Sequence, residues 1–243
     1  MERMSANSPV AVIPAAGVGS RLDGAVTGSK EVADIGGEPL IAHLLDRLAR
    51  ASVTEAVVVL RKSKEDIPAA LAAYGEVDLT YVVIDESPSE LHSVIAGVRA
   101  TDGRVVALGY PDILFEPMDS YSALLHRLDD TNADLVIGLF PTDQPERVDM
   151  VALDDRGRPT EVVIKQPDRG LRYSWSIAAW SPGFSSYLTE FAAGQRGPLE
   201  PSVGDVVQAA INDELVVDAV RFDDGGYLDV GTPADLERAR REA

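Results

Sequence analysis

The sequence contains no cysteine, only three histidines and 6% aromatic residues. Without cysteine there is no disulfide framework, no thiol nucleophile and no thiolate metal site. No apolar run approaches the roughly 18 residues that a membrane-spanning helix needs. The opening segment, Met1 to Ser8, lacks the apolar stretch of a secretory leader, so a disordered tail over residues 1–8 and a cytoplasmic location are expected. Basic residues are also scarce: 22 Lys and Arg against 40 Asp and Glu give a net charge of −18. Such a surface repels nucleic-acid backbones and anionic lipid, which argues against either as a partner. A small polyphosphate is still compatible, because salt screens charge over about 8 Å and a few local cations can dominate one pocket.

What remains is a chain of 243 residues, 45% hydrophobic, with ample material for a core. Val10–Pro14 reads as a short apolar strand that runs into the small-residue loop Ala15 to Leu22. After Pro39, the residues Leu40, Ile41, Leu44, Leu45 and Leu48 form one apolar helical face. Strands are expected at Val57–Leu60, Tyr81–Ile84 and Arg104–Gly109. Helices are expected over Glu65–Tyr74, through Leu91, Val94, Ile95 and Val98, and through Met118, Tyr121, Leu125 and Leu128. Strands alternating with helices in this way imply βαβ units and a mainly parallel sheet.

Beyond residue 139 the pattern changes. Val148–Leu153 and Thr160–Ile164 read as a hairpin around Asp155-Arg156-Gly157-Arg158. A strand at Trp175–Trp180, two helices near Phe184–Ala193 and Val203–Asn212, and a strand at Leu215–Phe222 follow. Thr232 is placed to cap a last helix that starts at Pro233. No internal repeat or linker divides the chain, so residues 9–243 are expected to form a single domain.

Gly17-Val18-Gly19-Ser20-Arg21 follows the first strand, where open α/β sheets bind ligands. Glycines let backbone N–H groups approach phosphate, and Arg21 adds a forked donor. Position 22 is Leu rather than the third glycine of a dinucleotide fingerprint, and Ser29 precedes Lys30 where a Walker A loop needs glycine. Asp112 and Asp229 each follow a strand in a Gly- or Pro-containing turn. His43 and His126 lie on amphipathic helices and read as surface or boundary residues, while His92 opens a helix beside the same loop. Trp175, Trp180 and Tyr173 fit a core or a pocket wall equally well.

Taken together, Ala15 to Leu22, Lys30, Gly36 to Ile41, Gly109 to Asp112, Glu161 to Pro167, Gly204 to Gln208 and Leu228 to Pro233 resemble the sugar-1-phosphate nucleotidyltransferases. The resemblance is to the glucose-1-phosphate thymidylyl- and uridylyltransferase branch, and its motifs run in order along almost the whole chain. It implies a Rossmann-like, doubly wound, mostly parallel mixed sheet with a smaller β-rich part that carries the sugar. It also implies an activity: a nucleoside triphosphate (TTP, UTP or CTP) and a sugar-1-phosphate give a nucleotide sugar and pyrophosphate, with Mg²⁺.

By the same resemblance, Ala15, Ala16, Gly17, Gly19, Ser20, Arg21 and Glu90 would bind the nucleotide. Arg21, Lys30 and Asp112 would carry the catalysis, Lys165 and Trp175 would hold the sugar phosphate, and Asp112 and Asp229 would bind the metal. Some positions depart from the pattern. Tyr110-Pro111 separate Gly109 from Asp112, Ile164-Lys165-Gln166-Pro167 lacks the usual Glu before Lys, and Glu90-Leu91 stand where many relatives have Gly-Leu. Two rivals stand beside this reading. One is a cytidylyltransferase for a small phosphorylated alcohol of the isoprenoid-precursor type, suggested by Ala11–Gly17 and Ser93–Gly97. The other is a catalytically silent nucleotide-binding homologue. The sequence leaves open whether the chain forms a homo-oligomer.

Overall fold

The structure is a computed structural model and describes residues 8–18, 22, 24, 26–166, 169–194 and 201–243. Residues 1–7 of the expected tail lie outside the described residues. Strand β1 (Val10–Pro14) is buried along nearly its whole length and sits at the heart of a nine-stranded sheet. It pairs in parallel with β4 (Glu55–Arg61) on one side and β6 (Val106–Leu108) on the other. Strand β5 (Asp78–Ile84) extends the parallel run beyond β4.

On the far side of β6 lies β11 (Tyr173–Trp180), antiparallel to β6 and to β8 (Leu135–Pro141). Strand β12 (Val217–Arg221) closes that edge in parallel with β8. The expected hairpin is present as β9 (Met150–Leu153) and β10 (Pro159–Val163). It does not form a separate sheet: β9 pairs with the start of β11 and so joins the main one. The sheet is therefore mixed, with the expected parallel run at its centre through β6, β1, β4 and β5.

Helices cover both faces. The apolar face of α1 (Leu40–Arg50) packs on one side together with α2 (Asp66–Ala70) and α4 (Ser120–Thr131). On the other side lie α3 (Glu90–Val98), α5 (Pro182–Gly194) and α6 (Val203–Asn212). All five residues assigned to the face of α1 are buried. The helix expected over Glu65–Tyr74 is shorter than its periodicity suggests. Residues Lys62–Lys64 form a 3-10 turn that carries Lys64 inward, and only Asp66–Ala70 is α-helical. Pro39 ends the strand β3 (Glu38–Pro39), which pairs with β2 (Asp34–Ile35), and α1 begins one residue later. Thr232 caps α7 (Pro233–Glu242) by accepting from the Asp235 N–H. No helix among the described residues is long and apolar enough to cross a membrane.

One feature was not legible in the pattern. Residues just after Asp112 form a strand, β7 (Ile113–Glu116), which pairs antiparallel with β13 (Gly226–Asp229) in a ribbon outside the main sheet. This ribbon links the middle of the chain to its last helix.

Helix α3 rides close to the sheet at Gly97, where a β-carbon would stand 2.5 Å from Val12 Cγ1 and 3.1 Å from Val59 Cγ2. Protein interiors do not absorb added volume at such a contact without strain. Gly97→Val should therefore lower stability by about 2–3 kcal/mol, read as a lower urea midpoint with an unchanged slope. An unchanged midpoint would mean that α3 can move off β1 freely.

Candidate active site

The parallel strands β1, β4 and β6 end at one edge, and the loops that leave them meet there. The Ala15 N–H donates to the Val59 carbonyl at 2.9 Å and the Gly109 N–H to the Val12 carbonyl at 3.2 Å, so the sheet pattern continues into both loops. Ala15 and Ala16 are buried beneath the loop, and Arg61 Nε donates to the Ala16 carbonyl at 2.8 Å. These alanines supply a compact base rather than exposed contacts. Gly17 is exposed, and a β-carbon added there would touch nothing within 4 Å among the described residues. Gly19, Ser20 and Arg21 lie outside the described residues.

Gly17, Lys30, Glu90, Tyr110 and Asp112 share a cleft of about 300 Å³. Lys30 is held there by its surroundings. The Asp66 carboxylate accepts from the Ser29 N–H at 2.6 Å and from the Ser29 hydroxyl at 2.7 Å. Gly28 has φ +89°, and a β-carbon there would lie 2.5 Å from Asp66 Oδ2, so both its conformation and the close approach call for glycine. Next to Lys30, Glu31 is 1% exposed and pairs with buried Lys64 at 2.7 Å. Burial raises the Glu31 pKa and lowers that of Lys64, and each charge offsets only part of the other's cost.

Lys30 itself forms an ion pair with Asp112. Burial alone would lower the lysine pKa, but the attraction of Asp112, supported by Glu31 and Asp229, holds it above the usual lysine value. The β7–β13 ribbon explains the presence of Asp229. Asp229 is the ladder partner of Ile113, and the Val230 N–H donates to the Asp112 carbonyl at 2.8 Å. Two aspartates far apart in sequence, one in the turn before β7 and one at the end of β13, thus stand near one lysine. The ribbon is anchored from beneath by buried Arg47, which donates to the Phe115 carbonyl at 2.7 Å and to Glu116 at 3.0 Å.

On the opposite side of the cleft, Glu90 accepts from the Tyr110 hydroxyl. The surrounding protein raises the pKa of Glu90, although solvent reaches its side chain through the mouth. Tyr110 meets Trp175 edge to face with ring centroids 6.3 Å apart. Lys165 follows β10, is exposed, and has φ +40°, a left-handed conformation that costs energy for a residue with a β-carbon. Asp149 lies between these last two. The ladder pairs Met150 with Val163 and Ser174, which puts Asp149 on the next rung, toward Ile164 on one side and Trp175 on the other. Burial raises the Asp149 pKa, with Lys165 lowering it in part. Trp180, by contrast, is fully buried and donates from its indole to Ser185 at 2.9 Å, so it belongs to the core.

The structure therefore brings Gly17, Lys30, Asp112, Asp229 and Glu90 to one region, with Trp175 and Lys165 at its far end. Sequence reasoning missed Tyr110, Asp149, Asp66, Arg61 and the Glu31–Lys64 pair. No local signal marks them: each is an ordinary residue type whose role depends on a neighbour distant in the chain. Among the described residues, no group of three or more His, Asp and Glu side chains gathers as a ready-made metal cage. The carboxylates of Asp112, in the turn before β7, and of Asp229, at the end of β13, do suit a hard divalent cation that takes its other ligands from phosphate and water.

The family model described as the MobA-like NTP transferase domain matches residues 11–183. The low-salt glycan biosynthesis nucleotidyltransferase Agl11 of Haloferax volcanii is 26% identical over 95% of this chain. This chain spans 64% of Agl11's length. The UTP–glucose-1-phosphate uridylyltransferase AglF of the same organism is 25% identical, with 95% of each chain covered. A solved structure from Bacillus anthracis, described as a glucose-1-phosphate thymidylyltransferase in complex with sucrose, superposes with a TM-score of 0.86. It is 21% identical, over 97% of this chain and 95% of that one, and establishes the fold alone.

The buried pair beside Lys30 gives a direct test of the local energetics. Lys64→Ala would leave the Glu31 carboxylate buried without its cation, at a cost of about 3–5 kcal/mol. The double variant Glu31→Leu/Lys64→Met removes both charges and should be clearly more stable than Lys64→Ala in urea unfolding. If the two variants unfold alike, solvent reaches Glu31 and the pair is not buried as described.

Proposed function

The chain belongs to the MobA-like NTP transferase domain family, and from this we propose that it joins a nucleoside triphosphate to a sugar-1-phosphate, releasing a nucleotide sugar and pyrophosphate. The observation that carries the reading is the Lys30–Asp112 pair in the cleft beside Gly17, with the charge of Asp229 near the same ammonium. The substrate classes are those in the name of the relative AglF.

The attacking sugar phosphate is already an anion, so the reaction needs no side-chain base to create its nucleophile. Catalysis then reduces to positioning the two phosphates and offsetting their charge. The backbone at Gly17 would admit the triphosphate. Lys30 and Arg21 would neutralise its α-phosphate and the departing pyrophosphate, with Gly19 and Ser20 completing the loop. Asp112 and Asp229 would hold Mg²⁺, which supplies charge neutralisation between two anions that must approach to about 3 Å. Lys165 would receive the sugar phosphate, with Trp175 as the wall of that part of the cleft. Glu90, bound to Tyr110, would line the passage between the nucleotide and the sugar.

Pyrophosphate release measured over a matrix of TTP, UTP and CTP against sugar-1-phosphates and methylerythritol phosphate tests the reading. Turnover is expected with a sugar-1-phosphate, absent in EDTA and restored by Mg²⁺. Turnover with the small phosphorylated alcohol alone would favour the cytidylyltransferase rival, and no release with any pair would favour a silent homologue. In an active pair, folded Asp112→Asn and Asp229→Asn should each lower kcat by at least about a hundredfold, since Asn keeps the shape and loses the charge. Lys165→Ala should raise KM for the sugar phosphate far more than KM for the triphosphate. Equal effects on both substrates would remove Lys165 from the sugar side.

A further inference from the structure

The chain runs outward from β1 to β4 and β5 before it returns to β6 on the other side of β1. The crevice at the ends of β1 and β6 is therefore the switch point of the sheet, where an open α/β fold takes its ligand. Helix α3 starts at Glu90, and Glu90 lines the same cleft as Gly17, Lys30 and Asp112. Lys165 and Trp175 do not line that cleft.

Glu90 is fixed from two sides. Behind it, the Ser89 hydroxyl caps α3 by accepting from the His92 N–H at 3.2 Å. The Ser87 hydroxyl donates to the Ser89 carbonyl at 2.9 Å and bonds to the hydroxyl of buried Ser93 at 2.6 Å. In front, the Tyr110 hydroxyl donates to Glu90 Oε1, and the Tyr110 ring is braced edge to face against Trp175. Among the described residues Glu90 has no other hydrogen-bond partner, so its second oxygen is uncommitted.

The charges of Asp149, Lys165 and Asp112 all act on the Glu90 carboxyl, which therefore stands among the groups assigned to the two phosphates. A carboxylate there repels a polyphosphate unless the ligand brings donors to it, because an ionised carboxylate only accepts. In a nucleoside 5′-triphosphate the ribose stands between the phosphates and the base, and its hydroxyls are the donors nearest the phosphates. A ribose offers a cis diol to the uncommitted oxygen, whereas a 2′-deoxyribose keeps a single hydroxyl.

We propose that Glu90 makes this chain select ribonucleoside over 2′-deoxyribonucleoside triphosphates, its carboxylate accepting from the ribose diol while Tyr110 holds it in place. The proposal rests on the nucleotidyltransferase reading and narrows its substrate class to UTP or CTP rather than TTP. Glu90 is a specificity-determining residue, and Tyr110 positions it.

The experiment measures binding of UTP, dUTP, CTP and dCTP by calorimetry with Mg²⁺ present. Within each pair the base and the phosphates are identical, so only the 2′ hydroxyl enters the ratio of affinities. Repulsion between the carboxylate and the triphosphate cancels in the same ratio. The unmodified protein should bind the ribonucleotide of the accepted pair at least about fivefold more tightly. Glu90→Ala, checked for folding by its thermal transition, should bring the ratio to within about twofold of unity. Glu90→Gln keeps an accepting oxygen and should fall between the two. Equal binding of the two sugars by the unmodified protein overturns the proposal, as does a preference that survives Glu90→Ala. A protein that binds TTP but neither UTP nor CTP also overturns it, while the nucleotidyltransferase reading stands. If none of UTP, CTP and TTP binds, that reading falls and the proposal with it.

Discussion

Strand β1 bonds in parallel to β4 and β6 at once, and the geometry of the cleft descends from that arrangement. Parallel neighbours finish at the same edge, so the loops after Pro14 and Leu108 open side by side. The Gly109 N–H closes the join by donating to Val12. Without that shared edge, the backbone at Gly17 and the turn that carries Asp112 would have no reason to face each other. The helices on both faces make the arrangement stiff, because apolar residues on each side of β1 pack into separate clusters.

The edge alone brings only one carboxylate. The second arrives through the β7–β13 ribbon, a device outside the main sheet, in which the Asp112 carbonyl accepts from Val230. The ribbon gains its footing from Arg47, whose buried guanidinium would be costly without the carbonyls and the Glu116 carboxylate it serves. Helix α1 therefore does two jobs. Its leucines cover the sheet, and its arginine holds the strand that follows Asp112.

Charge in the cleft is arranged in linked pairs. Lys64 balances Glu31, Lys30 balances Asp112, and the Ser29 N–H and hydroxyl stabilise Asp66. In a chain of net charge −18, a phosphate site depends on where its few cations are held rather than on their number. Lys30 and Lys64 are each tied to an acid, which sets their positions.

Local rules were enough for much of this. Apolar periodicity made α1 and α3 legible, strand alternation announced the β9–β10 hairpin, and Thr232-Pro233 announced the start of α7, because each depends on neighbours a few residues away. The loop at Gly17 stood out by motif, and resemblance singled out Lys30, Asp112 and Asp229 as candidates. Only the tertiary structure decided that Lys30 pairs with Asp112, that Asp229 lies on the strand beside it, and that Asp149 falls on the rung between Ile164 and Trp175. The strand β7 was hidden for the same reason that the pairing was: a two-stranded ribbon is defined by its partner, and its partner lies near the other end of the chain. Sequence patterns report which face of an element is apolar, whereas the meeting of charges depends on which elements the sheet order makes adjacent.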